Sequence, residues 1–187
     1  MVAVDNHAPW ISRLEQTVRA RGLDGRVKPT QGDLGRLEFP PESFDLIWSE
    51  GALYNVGIEH ALRHCRPFLA RGGSLSFTDA VWRKEHPPAE VKASFEFDYP
   101  TMGRTQDVLA TIARCELELV GHFTLPDNAW WTDFYTPMEA RIAALREPHR
   151  GDAEALEVLA QLAREPELHR QYSDFYAYEH FVARRPA

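Results

Sequence analysis

The chain has 187 residues, 44% of them hydrophobic and 26% charged, which is ordinary globular usage with length enough for a core and no call for disorder. A net charge of −7, with basic residues scattered along the chain, excludes a phosphate backbone as partner, so no nucleic acid is expected. No apolar stretch reaches the ~18 residues of a membrane span, the N-terminus has no signal-peptide layout, and Cys65 and Cys115 lack CxxC spacing. The expectation is a cytoplasmic protein with no membrane partner and with reduced, buried thiols.

Strand and helix patterns alternate through the first two thirds. Val2 to Val4 is a short apolar strand closed by Asp5-Asn6, and Pro9 then opens a helix whose Trp10, Ile11, Leu14 and Val18 share one face until Gly22. Arg26 to Thr30 is a second strand leading into Gly32-Asp33, and Phe44 to Trp48 is a third, read as a buried strand that gives out at Ser49-Glu50-Gly51. A helix follows with Ile58, Ala61, Leu62, Cys65 and Leu69, tightened near Pro67 and stopped at Gly72-Gly73. Ser74 to Asp79 is the fourth strand.

Beyond it the pattern loosens. Helices are predicted from about Ala89 to Phe97 and from Thr105 to Cys115, a strand from Leu117 to Leu125, an aromatic loop from Trp130 to Tyr135, and helices over 137–147 and 152–163 with Pro166 as punctuation. Phe175 to Arg184 is the last strand. Successive βαβ units imply a mostly parallel sheet, and the last strands, without a crossover helix between them and the C-terminus, form an antiparallel edge pair. The chain reads as a single domain over 1–187, with 82–116 and 128–170 as insertions that cover a substrate.

Parallel sheets bind ligands at their carboxyl edge, so the polar residues there carry the functional reading. An acid such as Asp5 either steadies the first turn of the next helix or accepts two hydrogen bonds from a ribose diol. Asp33 at the neighbouring strand end favours the second, because two acids side by side along one sheet edge suit a nucleoside. Tyr54 and Asn55 follow the third strand as an aromatic hydroxyl and an amide beside a reacting group, or as a helix-start packing residue and cap. Trp130, Trp131, Asp133 and Tyr135 suit either a cage for a cation or core packing. His60 and His64 share a helical face beside Cys65, but no HExxH and no third ligand accompany them, so no metal is expected. His86 and His122 are available as bases or as structural histidines, and Tyr172, Tyr176 and Tyr178 read as core and sheet-face residues.

The runs VAVDNHAPWISRLEQTVRARGL, GDLGRLEFPPESFDLIWSEGALYNVG and ALRHCRPFLARGGSLSFTD, in that order, resemble the class I S-adenosylmethionine-dependent methyltransferases from their second strand onward. IWSEGALYNVG and NAWWTDFYTP are similar to a bacterial, small-molecule branch of that superfamily. The resemblance covers roughly residues 1 to 125. It implies a Rossmann-like methyltransferase fold, S-adenosyl-L-methionine as cofactor and a small-molecule acceptor. Asp5 would then bind the ribose hydroxyls, Asn6 would lie against the adenine, Asp33 and Leu34 would recognise its amino edge, and Ser49 with Glu50 would lie near the methionine. Tyr54, Asn55 and Tyr135 are the candidate catalytic residues.

The resemblance also implies an N-terminal truncation, because the family's first strand and its Gly-rich loop have no counterpart here. Weak cofactor binding and impaired transfer are therefore expected. The strands at 2–4 and 44–48, read as buried on both faces, would flank the gap, to be closed by direct pairing, by a strand from another subunit or by an upstream segment. A homo-oligomer built at this gap is the expected assembly. Two other functions fit less of the pattern: a non-catalytic methyltransferase-like protein acting through dimerisation or partner binding, and a nicotinamide-dependent oxidoreductase, whose ribose Asp5 would also suit.

Overall fold

The computed structural model describes residues 1–187. Six strands and seven helices alternate along the chain: β1 (Val2–Asp5), α1 (Ala8–Ala20), β2 (Lys28–Gln31), β3 (Phe44–Glu50), α2 (Ile58–Cys65), β4 (Leu69–Trp82), α3 (Ala89–Glu96), α4 (Thr105–Arg114), β5 (Glu118–Thr124), α5 (Asn128–Trp130), α6 (Thr136–Arg146), α7 (Ala153–Tyr172) and β6 (Tyr176–Arg184). β1 and β2 form a parallel pair in the register Val2 with Lys28 through Asp5 with Gln31. The remaining strands form a second sheet in the order β3-β4-β6-β5.

Within that sheet β6 runs against both neighbours. Gly72 and Arg83 of the β4 stretch donate to the carbonyls of Arg185 and Phe175, and Leu125 donates to Tyr178, so rising numbers on one strand meet falling numbers on the next. The expected antiparallel edge pair is thus β5 with β6. The fold is mixed α/β and Rossmann-like.

The chain divides into two compact units, one of Met1–Phe77, Ala110–Val120 and Val182–Ala187, the other of Thr78–Leu109 and Gly121–Phe181. In the first, α1 begins with Pro in its opening turn and buries Ile11 and Val18, while Gly22 at φ 63° lets the chain turn out of the helix. Trp10, expected on the inward face, is 55% exposed, with the Arg13 guanidinium over its ring. α2 buries Ala61, Leu62 and Cys65 and tightens into a short 3-10 turn at Arg66–Phe68, as Pro67 predicts. Glu59 of α2 binds both Arg63 and Arg114, and the Cys115 thiol donates to the Glu59 carbonyl. Cys65 and Cys115 are free and buried, and burial pushes the Cys65 thiol up to about 11.

Three elements of the first 82 residues differ from expectation. β3 is not buried on both faces: it is an edge strand with Leu46 50% and Trp48 62% exposed. β1 and β3 are not paired with each other, so each keeps one open ladder edge. β4 is longer than the run from Ser74 to Asp79, because Gly73 takes part in the strand instead of stopping the chain. A Cβ at Gly73 would lie 2.9 Å from the Ala70 carbonyl oxygen and 3.1 Å from that of Phe44, so only glycine allows this approach of backbones.

In the second unit, Val91, Val108, Ile142, Leu159 and Phe181 are buried. Residues 130–135 are helical, not a loop: α5 passes into a π-helical turn over Trp131–Tyr135 and then directly into α6. α7 likewise runs through Pro166 to Tyr172, well past the expected end at 163. Pro166 is buried inside the helix, so packing there outweighs the lost N–H bond.

Candidate functional site

In the first unit the two strand-end acids come together as the sequence implies. Parallel pairing sets Asp5 opposite Gln31, and the next amide, of Gly32, donates to the Asp5 carbonyl at 3.0 Å. Gly32 has no room for a side chain without pressing Val4, whose Cγ1 would be 3.2 Å from a Cβ, and this lets the chain leave β2 tightly against β1. Asp5 Oδ1 accepts the His7 amide at 2.7 Å and Asp33 Oδ1 accepts the Gly35 amide at 2.8 Å. Each carboxylate is therefore aimed by one oxygen held in a local turn, and keeps its other oxygen for an outside donor. Both residues are exposed.

The remaining first-unit candidates frame these acids. The Asn6 carbonyl accepts Gln31 Nε2 at 3.3 Å, which ties the turn after β1 to the end of β2. Leu34 starts a 3-10 turn capped by Asp33 and is half-buried. A Cβ on Gly35 would meet Val56 Cγ1 at 3.4 Å, so this turn approaches the one that follows β3. Ser49 and Glu50 are the last residues of β3, which runs two residues further than expected, and Glu50 Oε1 accepts the Trp48 indole N–H at 3.0 Å. Gly51 then reverses direction at φ 55°. Tyr54 and Asn55 lie in a 3-10 turn anchored by buried Leu53, and Asn55 Nδ2 donates back to the Ala52 carbonyl at 3.0 Å. That bond closes the 3-10 turn, and the helix that follows has Gly57 as its N-cap, without a side-chain cap bond.

Tyr135 belongs to the second unit, fully buried in a network that the sequence did not disclose. Its hydroxyl donates to Glu165 Oε1 at 3.3 Å and also bonds Tyr176. Tyr176 bonds His169 Nδ1 at 2.9 Å, and His169 Nε2 meets Asp127 Oδ1 at 3.0 Å. Burial drives the Tyr135 phenol far above its ordinary range, so it acts as a hydrogen-bond donor and not as a base. Burial also lowers His169, against the pull of Asp127, and raises Glu165. Trp130 stacks on Tyr135 with centroids 5.7 Å apart, and Arg170 lies over Trp131 at 4.7 Å. The acids of this cluster are Asp127 and Glu165, whereas Asp133, the expected one, makes no bond in it.

Two further polar groups of this unit escaped the sequence reading. Glu179 is buried, accepts the Thr105 hydroxyl at 3.0 Å, and faces His122 Nδ1 at 2.5 Å, which gives one of the unplaced histidines a fixed orientation. Asp79 in β4 is 0% exposed; Oδ2 accepts the Tyr99 hydroxyl at 2.7 Å and Oδ1 has no partner. Asp79 closes the expected strand Ser74 to Asp79, but Ala80, Val81 and Trp82 continue the strand beyond it, so its place at a strand end was no signal. His60 and His64 stack face to face at 5.9 Å, and no group of three metal-binding side chains exists.

Comparison with known proteins places this architecture. The Methyltransferase domain family matches residues 1–73, and no curated protein matches the chain. Among solved structures, the [4+2]-cyclase SpnF is similar with a TM-score of 0.76 at 19% identity, over 100% of this chain and 66% of that one. A putative sarcosine dimethylglycine methyltransferase from Galdieria sulphuraria has a TM-score of 0.79 at 16% identity, over 99% and 68% of the two chains. A Geobacter sulfurreducens methyltransferase in complex with S-adenosyl-L-homocysteine has a TM-score of 0.79 at 19% identity, over 100% and 75%. The chain thus spans about two thirds to three quarters of these proteins. The family match over the first 73 residues and the likeness to these structures together show a Rossmann-like fold of the kind found in methyltransferases.

Proposed function

We propose that the chain binds S-adenosyl-L-methionine at the ends of β1, β2 and β3 and transfers its methyl group to a small-molecule acceptor. The observation that carries this reading is the pair Asp5 and Asp33, each with one oxygen fixed by a backbone amide and one left for a ligand. Asp5 takes the ribose hydroxyls, Asn6 lies against the adenine, Asp33 and Leu34 read its amino edge, and Ser49 and Glu50 lie toward the methionine. When bound, the cofactor supplies a sulfonium methyl that an acceptor lone pair displaces in line. The chain's share is alignment and exclusion of water. Tyr54 and Asn55 orient the acceptor, and Tyr135 steadies the aromatic cluster through its bonds to Glu165 and Tyr176.

A second reading has one observation in its favour: a [4+2]-cyclase shares the fold, so the fold alone does not require methyl transfer. A nicotinamide enzyme is disfavoured because the Gly32-Asp33 pair and the run WSEGALYNVG follow the methyltransferase pattern. No helix is long and apolar enough to cross a membrane, and with two free thiols the cytoplasm is the proposed location. A second copy of the chain is the proposed partner for the open edges of β1 and β3. The functional reading is tested by titrating the protein with S-adenosylhomocysteine and with NAD. Saturable binding of the first alone supports it, and preference for NAD overturns it.

A further inference from the structure

A carboxyl group with no access to solvent and one oxygen unpaired is costly, and Asp79 is such a group. It is not loosely held. The Tyr99 hydroxyl donates to Oδ2, which fixes the plane of the carboxyl and leaves Oδ1 as a directed acceptor. Tyr99 stands one helical turn beyond Phe95, whose carbonyl accepts the Tyr99 amide at 2.7 Å. The Phe95 ring packs against Trp82 at 5.4 Å and against Tyr176 at 4.8 Å. A buried carboxylate favours a ligand that brings both a positive charge and an N–H. A divalent metal would need several more oxygen ligands than one carboxylate and one phenol supply.

We propose that Asp79 and Tyr99 form a subsite for a protonated amine, with Oδ1 of Asp79 accepting the ammonium N–H. The subsite goes beyond the methyl-transfer reading and does not need the cofactor. Without a cation the carboxyl is pushed up to about 7 by burial, and pairing with an ammonium is what would keep it ionised. Tyr99 is the titratable side chain bonded to it, and no cationic side chain pairs with it. Because Oδ1 is shielded, entry requires the segment that carries Tyr99, between α3 and α4, to shift outward.

The test is an NMR titration of the protein with ethylammonium and, separately, with ethanol as its neutral counterpart. Ethylammonium stays charged from about pH 6 to about pH 8, as a lysine does. Expected are saturable shifts centred on residues 79–82 and 95–99, binding at least about tenfold tighter than that of ethanol, and about tenfold weaker binding at the acid end than at the alkaline end. Asp79→Asn, which keeps the shape of the side chain, should remove both the preference and the pH dependence. Should that variant fail to fold, the pH dependence in the wild type decides. Equal binding of the two probes, pH-independent binding, or no saturable binding overturns the subsite. A protein that binds S-adenosylhomocysteine but not ethylammonium would lose this inference and keep the methyl-transfer reading; the opposite pattern would do the reverse.

Discussion

Asp79 shows how one residue ties stability to pH. Burial raises its carboxyl while the Tyr99 hydroxyl and the Ala80 backbone lower it, and burial wins, leaving it at about 7. In the unfolded chain the same group titrates near its ordinary ~3.9. Between those values the folded state holds a proton that the unfolded state has released, so stability is full in acid and is lost as pH rises from about 4 through about 7. At about 1.4 kcal/mol for each pH unit between the two values, the loss is of the order of a few kcal/mol. Asp79→Asn should abolish it. Urea unfolding at about pH 5 and about pH 8 is expected to show the wild type losing stability on the alkaline side while the variant does not. Parallel losses in the two proteins would contradict the assignment.

Among the elements, the π-helical turn and α7 act together. The turn directs Tyr135 inward, and Glu165 and His169, four residues apart on α7, present one face to it and to Tyr176. Tyr135→Phe leaves Glu165 without this donor and should destabilise the protein by about 1–3 kcal/mol, the cost of an unmade buried hydrogen bond, read as a lower urea midpoint. In β4, Gly73→Ala should cost about 1–3 kcal/mol, because the new methyl meets backbone oxygens of Ala70 and Phe44 that cannot move aside. Thermal unfolding checks it, and an unchanged midpoint would mean that the strands separate freely.

These elements also show what the sequence could and could not disclose. β1, α1, β3, α3, α4 and α6 follow short-range period and punctuation, and their expected positions agree within a few residues. The stretch 130–135 was opaque because a π turn has neither the 3.6 nor the 2 period, and Pro166 suggested a break that tertiary packing overrides. The strand-end acids were legible because a strand end and its turn are local events. Tyr99 with Asp79 and His169 with Asp127 bridge 20 and 42 residues, and no local pattern encodes such partners.

For the whole molecule, similarity to methyltransferases and to a cyclase shows that the fold is a scaffold and that the site decides the reaction. The open edges of β1 and β3, with Leu46 and Trp48 exposed beside one of them, make self-association the expected assembly. Sedimentation over a concentration series should show a dimer that Trp48→Ser weakens, and a monomer throughout would contradict it. The central claim is that Asp5 and Asp33 receive a nucleoside. Titration calorimetry with S-adenosylhomocysteine tests it most directly, on the wild type and on Asp5→Ala. Hydrogen bonds to a charged group contribute about 1.5–3 kcal/mol, so the variant should bind about tenfold more weakly or worse, with its fold intact. Equal dissociation constants for the two proteins would show that the nucleoside, if it binds, lies elsewhere.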